Sequence, residues 1–233
     1  MLSGLDWVID SPNGNNFIAG ISLGYNTTHI RFTNGLPSQT IDGATLVPYL
    51  AATMGKVSAN VIGKLDFFDY NASPGASVNS TKLTNYTVAS EVFYRLFENI
   101  GATESMVLSP EVGLQYSYTH FGDGAAAMEL QDGHTVRVEA GLSLTDSWRT
   151  RAAILRTATT GKIFTNVVNT GTSLPLDAHD FIRENDQGKL GGQIDVSVKV
   201  DFLNGFSSEL GANVHTGSDL IGAGGRGEIK YQW

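Results

Sequence analysis

The chain has 233 residues, 41% hydrophobic and only 16% charged, with 27 glycines, no cysteine and a formal net charge of -8. That charge excludes a general nucleic-acid binder, which needs a basic face, and the lack of cysteine excludes disulfides, thiolate metal sites and thiol nucleophiles. No run of about 18 apolar residues offers a membrane helix, but the short alternating segments of a membrane barrel escape that test.

The start, Met1-Leu-Ser-Gly-Leu-Asp-Trp, has neither the basic nor the apolar stretch of an export signal. A location outside the cytoplasm would therefore make the chain a piece of something longer. A partial strand is expected at Leu5–Ile9, and period-two alternation then recurs along the chain. Phe17, Ala19, Ile21, Leu23 and Tyr25 form one face opposite Gly20, Ser22, Gly24 and Asn26. Leu46, Pro48, Leu50, Ala52 and Met54 oppose Thr45, Tyr49 and Thr53; Ala59, Val61, Gly63, Leu65 and Phe67 oppose Ser58, Asn60, Lys64 and Asp66. Val88, Val92, Tyr94 and Leu96 oppose Ala89, Glu91 and Arg95, and Leu108 to Tyr118 alternates with Glu111, Gly113, Gln115 and Ser117. Val136, Val138, Ala140, Leu142 and Leu144 oppose Arg137, Glu139, Gly141 and Ser143.

Trp148 to Lys162 is the one ambiguous stretch, because Arg149, Arg151 and Arg156 share no face. Beyond it, Ile194, Val196, Val198, Val200 and Phe202 alternate with Asp195, Lys199 and Asp201. Phe206, Leu210, Ala212 and Val214 alternate with Glu209, Asn213 and His215, and Ile229, Tyr231 and Trp233 with Arg226, Glu228 and Lys230. The fold class read from this is all-β, about ten long strands plus the partial one in a single domain over 1–233. Turns such as Met54-Gly-Lys, Glu98-Asn-Ile-Gly, Asp146-Ser and Leu203-Asn-Gly take turns with long polar connections at Thr33–Asp42, Asn71–Asn85, Phe121–His134 and Asn166–Gly188. A barrel with tight turns at one rim and long loops at the other gives that rhythm.

The two faces set the expected environment. The polar face carries small residues and charges of both signs: Lys64 and Asp66, Glu91 and Arg95, Glu111, Arg137 and Glu139, Asp195 with Lys199 and Asp201, Glu209, and Arg226, Glu228 and Lys230. A wet lumen with charges paired across strands accommodates them. An Arg or Lys turned outward at mid-bilayer costs about 2–4 kcal/mol. Aromatics including Trp7, Tyr25, Phe67, Tyr86, Tyr94, Tyr116, Phe202 and Phe206 fall near strand ends, as an interfacial girdle requires, although aromatics favour strands in any case.

The closing Gly227-Glu-Ile-Lys-Tyr-Gln-Trp resembles the last strand of Gram-negative outer-membrane barrels. Gly4-Leu-Asp-Trp, a turn, and Phe17-Ile-Ala-Gly-Ile-Ser-Leu-Gly-Tyr resemble an early hairpin of the autotransporter β-domain. Leu50–Thr53, Leu108-Ser-Pro-Glu-Val-Gly-Leu-Gln-Tyr-Ser and Val138–Leu144 resemble later strands of it, so the likeness spans essentially the whole chain. The resemblance implies an antiparallel transmembrane β-barrel with a polar lumen, about 11 of its 12 strands being present. The first strand and a lumen helix of the family's pattern are missing, and Leu5–Ile9 matches the second strand cut short. It implies the C-terminal translocator and anchor of a type V secretion protein, placed in a Gram-negative outer membrane and delivering an upstream passenger. Its partners would be outer-membrane lipid, the barrel-assembly machinery, which reads Ile229, Tyr231 and Trp233 as an insertion signal, and the passenger segment itself.

No catalytic, cofactor or metal site is expected. His29, His120, His134, His179 and His215 show no local metal spacing. Gly222-Ala-Gly-Gly-Arg lacks the Lys and Ser/Thr of a phosphate loop, and its glycines read as room for close approach. Lumen acids Glu91, Glu111, Glu139 and Glu209 could serve self-cleavage by location only; charge pairing is the simpler role. Two rival readings are an outer-membrane lipid hydrolase, which needs one essential serine, and a secreted β-sandwich binding module, which buries its aromatic face.

Overall fold

A computed structural model describes residues 2–10, 15–30, 39–72, 80–98, 106–128, 130–173, 182–183, 188–202, 204–217 and 220–231. The strands are β1 (Leu2–Asp10), β2 (Asn16–Ile30), β3 (Gln39–Met54), β4 (Val57–Ala72), β5 (Ser80–Tyr94), β6 (Phe97–Glu98) and β7 (Val107–Phe121). They continue as β8 (Gly133–Arg149), β9 (Ala153–Thr170), β10 (Thr172–Ser173), β11 (Ile182–Arg183), β12 (Leu190–Phe202), β13 (Phe206–Gly217) and β14 (Leu220–Tyr231). Among the described residues the helical content is one 3₁₀ turn, Ala125–Met128.

The long strands form one antiparallel sheet in the order β1-β2-β3-β4-β5-β7-β8-β9-β12-β13-β14, while β6 edges β7 and β10 pairs with β11. Each long strand pairs with its chain neighbour, so every side chain's face follows from the period of two. The sheet curls until its ends approach: Lys230 Nζ on β14 lies 3.6 Å from Asp6 Oδ2 on β1. Among the described residues, no backbone pairing joins those two strands.

Strands of 15–18 residues, such as β2, β4 and β9, exceed the roughly 9–11 needed to cross a hydrocarbon layer. The surplus shortens the expected long connections: β3 starts at Gln39, β5 at Ser80 and β8 at Gly133, while β9 runs on to Thr170. Two turn expectations are corrected. Asp146-Ser lies inside β8, and the turn follows Arg149, where Thr150 N–H donates to Ala153 O at 2.9 Å and its hydroxyl accepts from Ala153 N–H at 3.0 Å. Of Glu98-Asn-Ile-Gly, residues 99–101 lie outside the described residues; Phe97 and Glu98 form β6, paired with Leu108 and Val107 of β7. Strict alternation of loop lengths also fails once, since only residues 218–219 join β13 to β14. Leu203 of Leu203-Asn-Gly is likewise outside the described residues.

Apolar side chains do not pack into a conventional core. Ile194, Val196 and Val198 are 58%, 46% and 40% exposed, and Trp7, Phe67, Val112 and Leu142 are exposed too. A soluble sandwich would press this face against a second layer. The one apolar cluster among the described buried residues joins Ile41, Phe68, Tyr70, Leu83 and Phe121 to Ala125 and Leu130 of the β7–β8 connection. Asp132 ties that connection down: its carboxylate accepts from Phe121 N–H at 2.8 Å and lies 2.6 Å from His120 Nδ1. Its partial burial pushes the carboxyl pKa up, but these bonds outweigh burial and hold it below the ordinary aspartate value.

Candidate functional site: the polar concave face

Polar groups on the concave side form three connected sets. The first joins β3, β4, β5 and β7. Asp66, fully buried, accepts from Thr45 Oγ1 at 2.7 Å and Asn85 Nδ2 at 3.0 Å, and pairs with Lys64 at 3.1 Å. Thr119 donates to Asn85 Oδ1 at 2.9 Å, and Thr87 meets Ser117 at 3.0 Å. Hydroxyls and amides stacked in rows satisfy one another across four strands, which offsets the cost of burying them.

The second set centres on Lys162. Its ammonium contacts Glu91, lies 3.1 Å from Glu139 Oε1 and 3.2 Å from Glu111 Oε1. Asn60 adds a hydrogen bond to Glu91 Oε2 at 3.0 Å. Register explains the convergence: Glu111 pairs with Gly141 and Gly141 with Lys162, while Glu91 pairs with Gly113 and Gly113 with Glu139. The two glycines leave floor space, because a Cβ on Gly113 would fall 2.6 Å from Glu139 and one on Gly141 would fall 2.9 Å from the Lys162 stem. Charges three strands apart thereby meet over a bare backbone.

The third set runs through β9 to β14 and on to β1. Arg156 and Lys199 both hold Asp201, at 2.5 and 3.3 Å; Arg226 holds Glu209 at 2.8 Å, and Lys230 holds Glu228 at 2.9 Å. Gln193 Nε2 donates to Asp195 at 3.0 Å. Tyr49 lays its ring over Gly20 and donates its hydroxyl to Asp6.

Two arginines of this face also reach neutral groups. Arg95 reaches the carbonyl of Gly55 at the β3–β4 turn. Gly55 holds φ +59° there, which glycine adopts without strain. Arg137 donates to Asn166 Oδ1 at 3.1 Å and stacks 4.2 Å over the Phe164 ring. Ile229 and Tyr231 are exposed, with Tyr231 4.8 Å from Phe206 between ring centres. Trp233 and His179 lie outside the described residues. Among the described residues, no group of three His, Cys, Asp or Glu side chains is arranged to hold a metal ion.

Sequence reading missed Lys162 and Arg156, both inside the ambiguous stretch, and Tyr49 as a bridge to Asp6. The obstacle is physical: the stretch spans the β8–β9 turn, so Arg149 closes β8, Arg151 lies in the connection and Arg156 is on β9, and a second irregularity follows further along β9. An extra residue near Val167 shifts its register, so Val136 pairs with Val168 but Arg137 with Asn166. Val167 and Val168 are then both exposed, while Asn166 and Asn169 are both buried. A bulge of this kind breaks the period on which face assignment rests.

The autotransporter β-domain family model matches residues 1–213. A comparison with curated proteins found no match.

Proposed function

The chain belongs to the autotransporter β-domain family, the translocator and anchor domains of Gram-negative outer membranes, and from that premise we propose how its faces divide the task. The outward apolar face contacts lipid. The concave face, with Lys64, Asp66, Glu91, Glu111, Arg137, Glu139, Asp195, Lys199, Asp201, Glu209, Arg226, Glu228 and Lys230, lines a hydrated lumen for the passenger segment of the same polypeptide. Arg95 guards its turn-side rim. The chemistry is passage and anchoring, not bond-breaking, and the carboxylates serve charge pairing.

The observation that carries this reading is the segregation of charge. Exposed side chains such as Ile194, Val198, Val112 and Leu142 are apolar, while the ion pairs converge across strands on the opposite side. Turning one such Arg or Lys outward would cost about 2–4 kcal/mol at mid-bilayer.

Two further elements belong to the proposal. A backbone segment beyond these eleven long strands closes the seam between β1 and β14, because unpaired strand edges are not tolerated in hydrocarbon. The barrel-assembly machinery reads the last strand through Ile229, Tyr231 and Trp233. The full polypeptide should fractionate with outer membranes after a urea wash and change gel mobility on heating; a wholly periplasmic, soluble product overturns the proposal.

A further inference from the structure

We propose that the β7–β8 connection is a cap folded into the loop-side mouth of the lumen, which keeps water off the β3–β7 wall and leaves the β9–β14 wall as the wet side of the passage. Register lays two rows next to each other on the concave face. Thr45, Asp66, Asn85 and Thr119 pair in turn across β3, β4, β5 and β7. Gly43, Phe68, Leu83 and Phe121 form the next row toward the loops, with Ile41 opposite Tyr70 beyond it. Side chains two residues apart share a face, so these apolar groups lie on the lumen side and not against lipid. Bare, they would stand in the water that the lumen holds, which is unfavourable.

They are not bare. Ala125 and Leu130 of the connection join Ile41, Phe68, Tyr70, Leu83 and Phe121 in one buried cluster. Both stems of the connection are tied down. Gly122 N–H donates to Lys82 O at 2.8 Å, and Thr81 Oγ1 donates to Gly122 O at 3.2 Å. At the other end Thr172 N–H, just past β9, donates to Gln131 O at 3.1 Å. The polar row is dry as well, with Thr45, Asp66, Asn85 and Thr119 only 0–1% exposed. The apolar row and the connection packed on it stand between those groups and the water at the loop end. The opposite wall differs. There the side chains of Arg156 and Arg226 are 51% and 69% exposed, and open space of about 280 Å³ lies over Ala158, Ser197, Gly211 and Asn213. The lumen is wetted from one side.

The inference rests on the hydrated-lumen reading, and the test separates the two. The 233-residue chain has no cysteine, so single ones report access: Thr119→Cys under the cap and Ser197→Cys on the open wall. Each variant is refolded in detergent micelles, and heat-dependent gel mobility first establishes the barrel. The rate of modification by a charged methanethiosulfonate is then divided by the rate for the same cysteine in urea. Thr119→Cys should react at least about tenfold more slowly than Ser197→Cys, because it waits for a local opening. Adding Ala125→Asp or, independently, Leu130→Asp places a charge in the apolar cluster and should speed Thr119→Cys about tenfold, while Ser197→Cys stays within about twofold. Equal rates at the two positions, or no acceleration in either heat-modifiable cap variant, overturns the cap while leaving the barrel intact. Protection of both cysteines in heat-modifiable protein overturns the hydrated lumen itself.

Discussion

Lys162 holds together three carboxylates contributed by three other strands, so its removal should be felt well beyond its own strand. In Lys162→Met, Glu91, Glu111 and Glu139 would face one another unneutralised in a largely buried setting. Breaking a buried ion pair from one side costs about 3–5 kcal/mol. The urea midpoint of the micelle-bound chain should fall accordingly; an unchanged midpoint would mean water already screens the cluster. The glycines beneath it give a finer test. A Cβ on Gly141 would come within 2.7 Å of the Gly161 carbonyl and 3.0 Å of Glu111 Oε1, whereas a Cβ on Gly161 meets nothing within 4 Å. Gly141→Ala should therefore destabilise by about 1–3 kcal/mol as overpacking does, and Gly161→Ala should be close to neutral in the same titration.

Strands and their connections carry the next level of the argument. On β12, Val198 faces outward and is 40% exposed, while its neighbour Ser197 faces the other side. Val198→Arg should cost about 2–4 kcal/mol in a bilayer, and Ser197→Arg should cost far less, read as folding yield into lipid vesicles; equal yields would deny the sidedness. Alternation made β12 and β13 legible from sequence, because each keeps one residue type per side. It failed from Trp148 to Lys162, where the β8–β9 turn interrupts the period and Thr, Ala and Gly occupy both sides of β9, and again at the extra residue near Val167. The Lys162 cluster was hidden by the first of these, and also because its partners meet through register across three strands, which no local pattern encodes. The β7–β8 connection adds a pH dependence. Asp132 has a depressed pKa in the folded state, so its contribution is present above the unfolded aspartate value of about 3.9 and fades as pH falls below it. Protection of the Phe121 amide, corrected for intrinsic exchange, should drop as pH falls through about 4 and below and lose that dependence in Asp132→Asn.

Among the described residues the sheet is a meander whose first and last long strands approach without pairing, and that geometry decides how the molecule can sit in lipid. A membrane offers no water to the N–H and C=O groups along a free edge, and each such group costs several kcal/mol in hydrocarbon. In micelles, detergent headgroups and water can reach the β1 and β14 edges, so the 233-residue chain should hold its inner strands firmly while those edges exchange quickly. The proposed closing segment changes this specifically. In a longer polypeptide that supplies it, backbone amides of β1 and β14 should slow markedly, whereas those of β4, β5 and β7, already paired on both sides, should scarcely move. Hydrogen exchange read by mass spectrometry distinguishes the cases. A general slowing would mean only that the longer chain is more stable. Slowing confined to the two edges would mean that one strand's worth of backbone bonds has been filled. If the edges already exchange slowly in the 233-residue chain, the seam is closed by direct approach of β1 and β14; if they stay fast in both polypeptides, the segment does not pair with them; either result means the inserted segment must be given up.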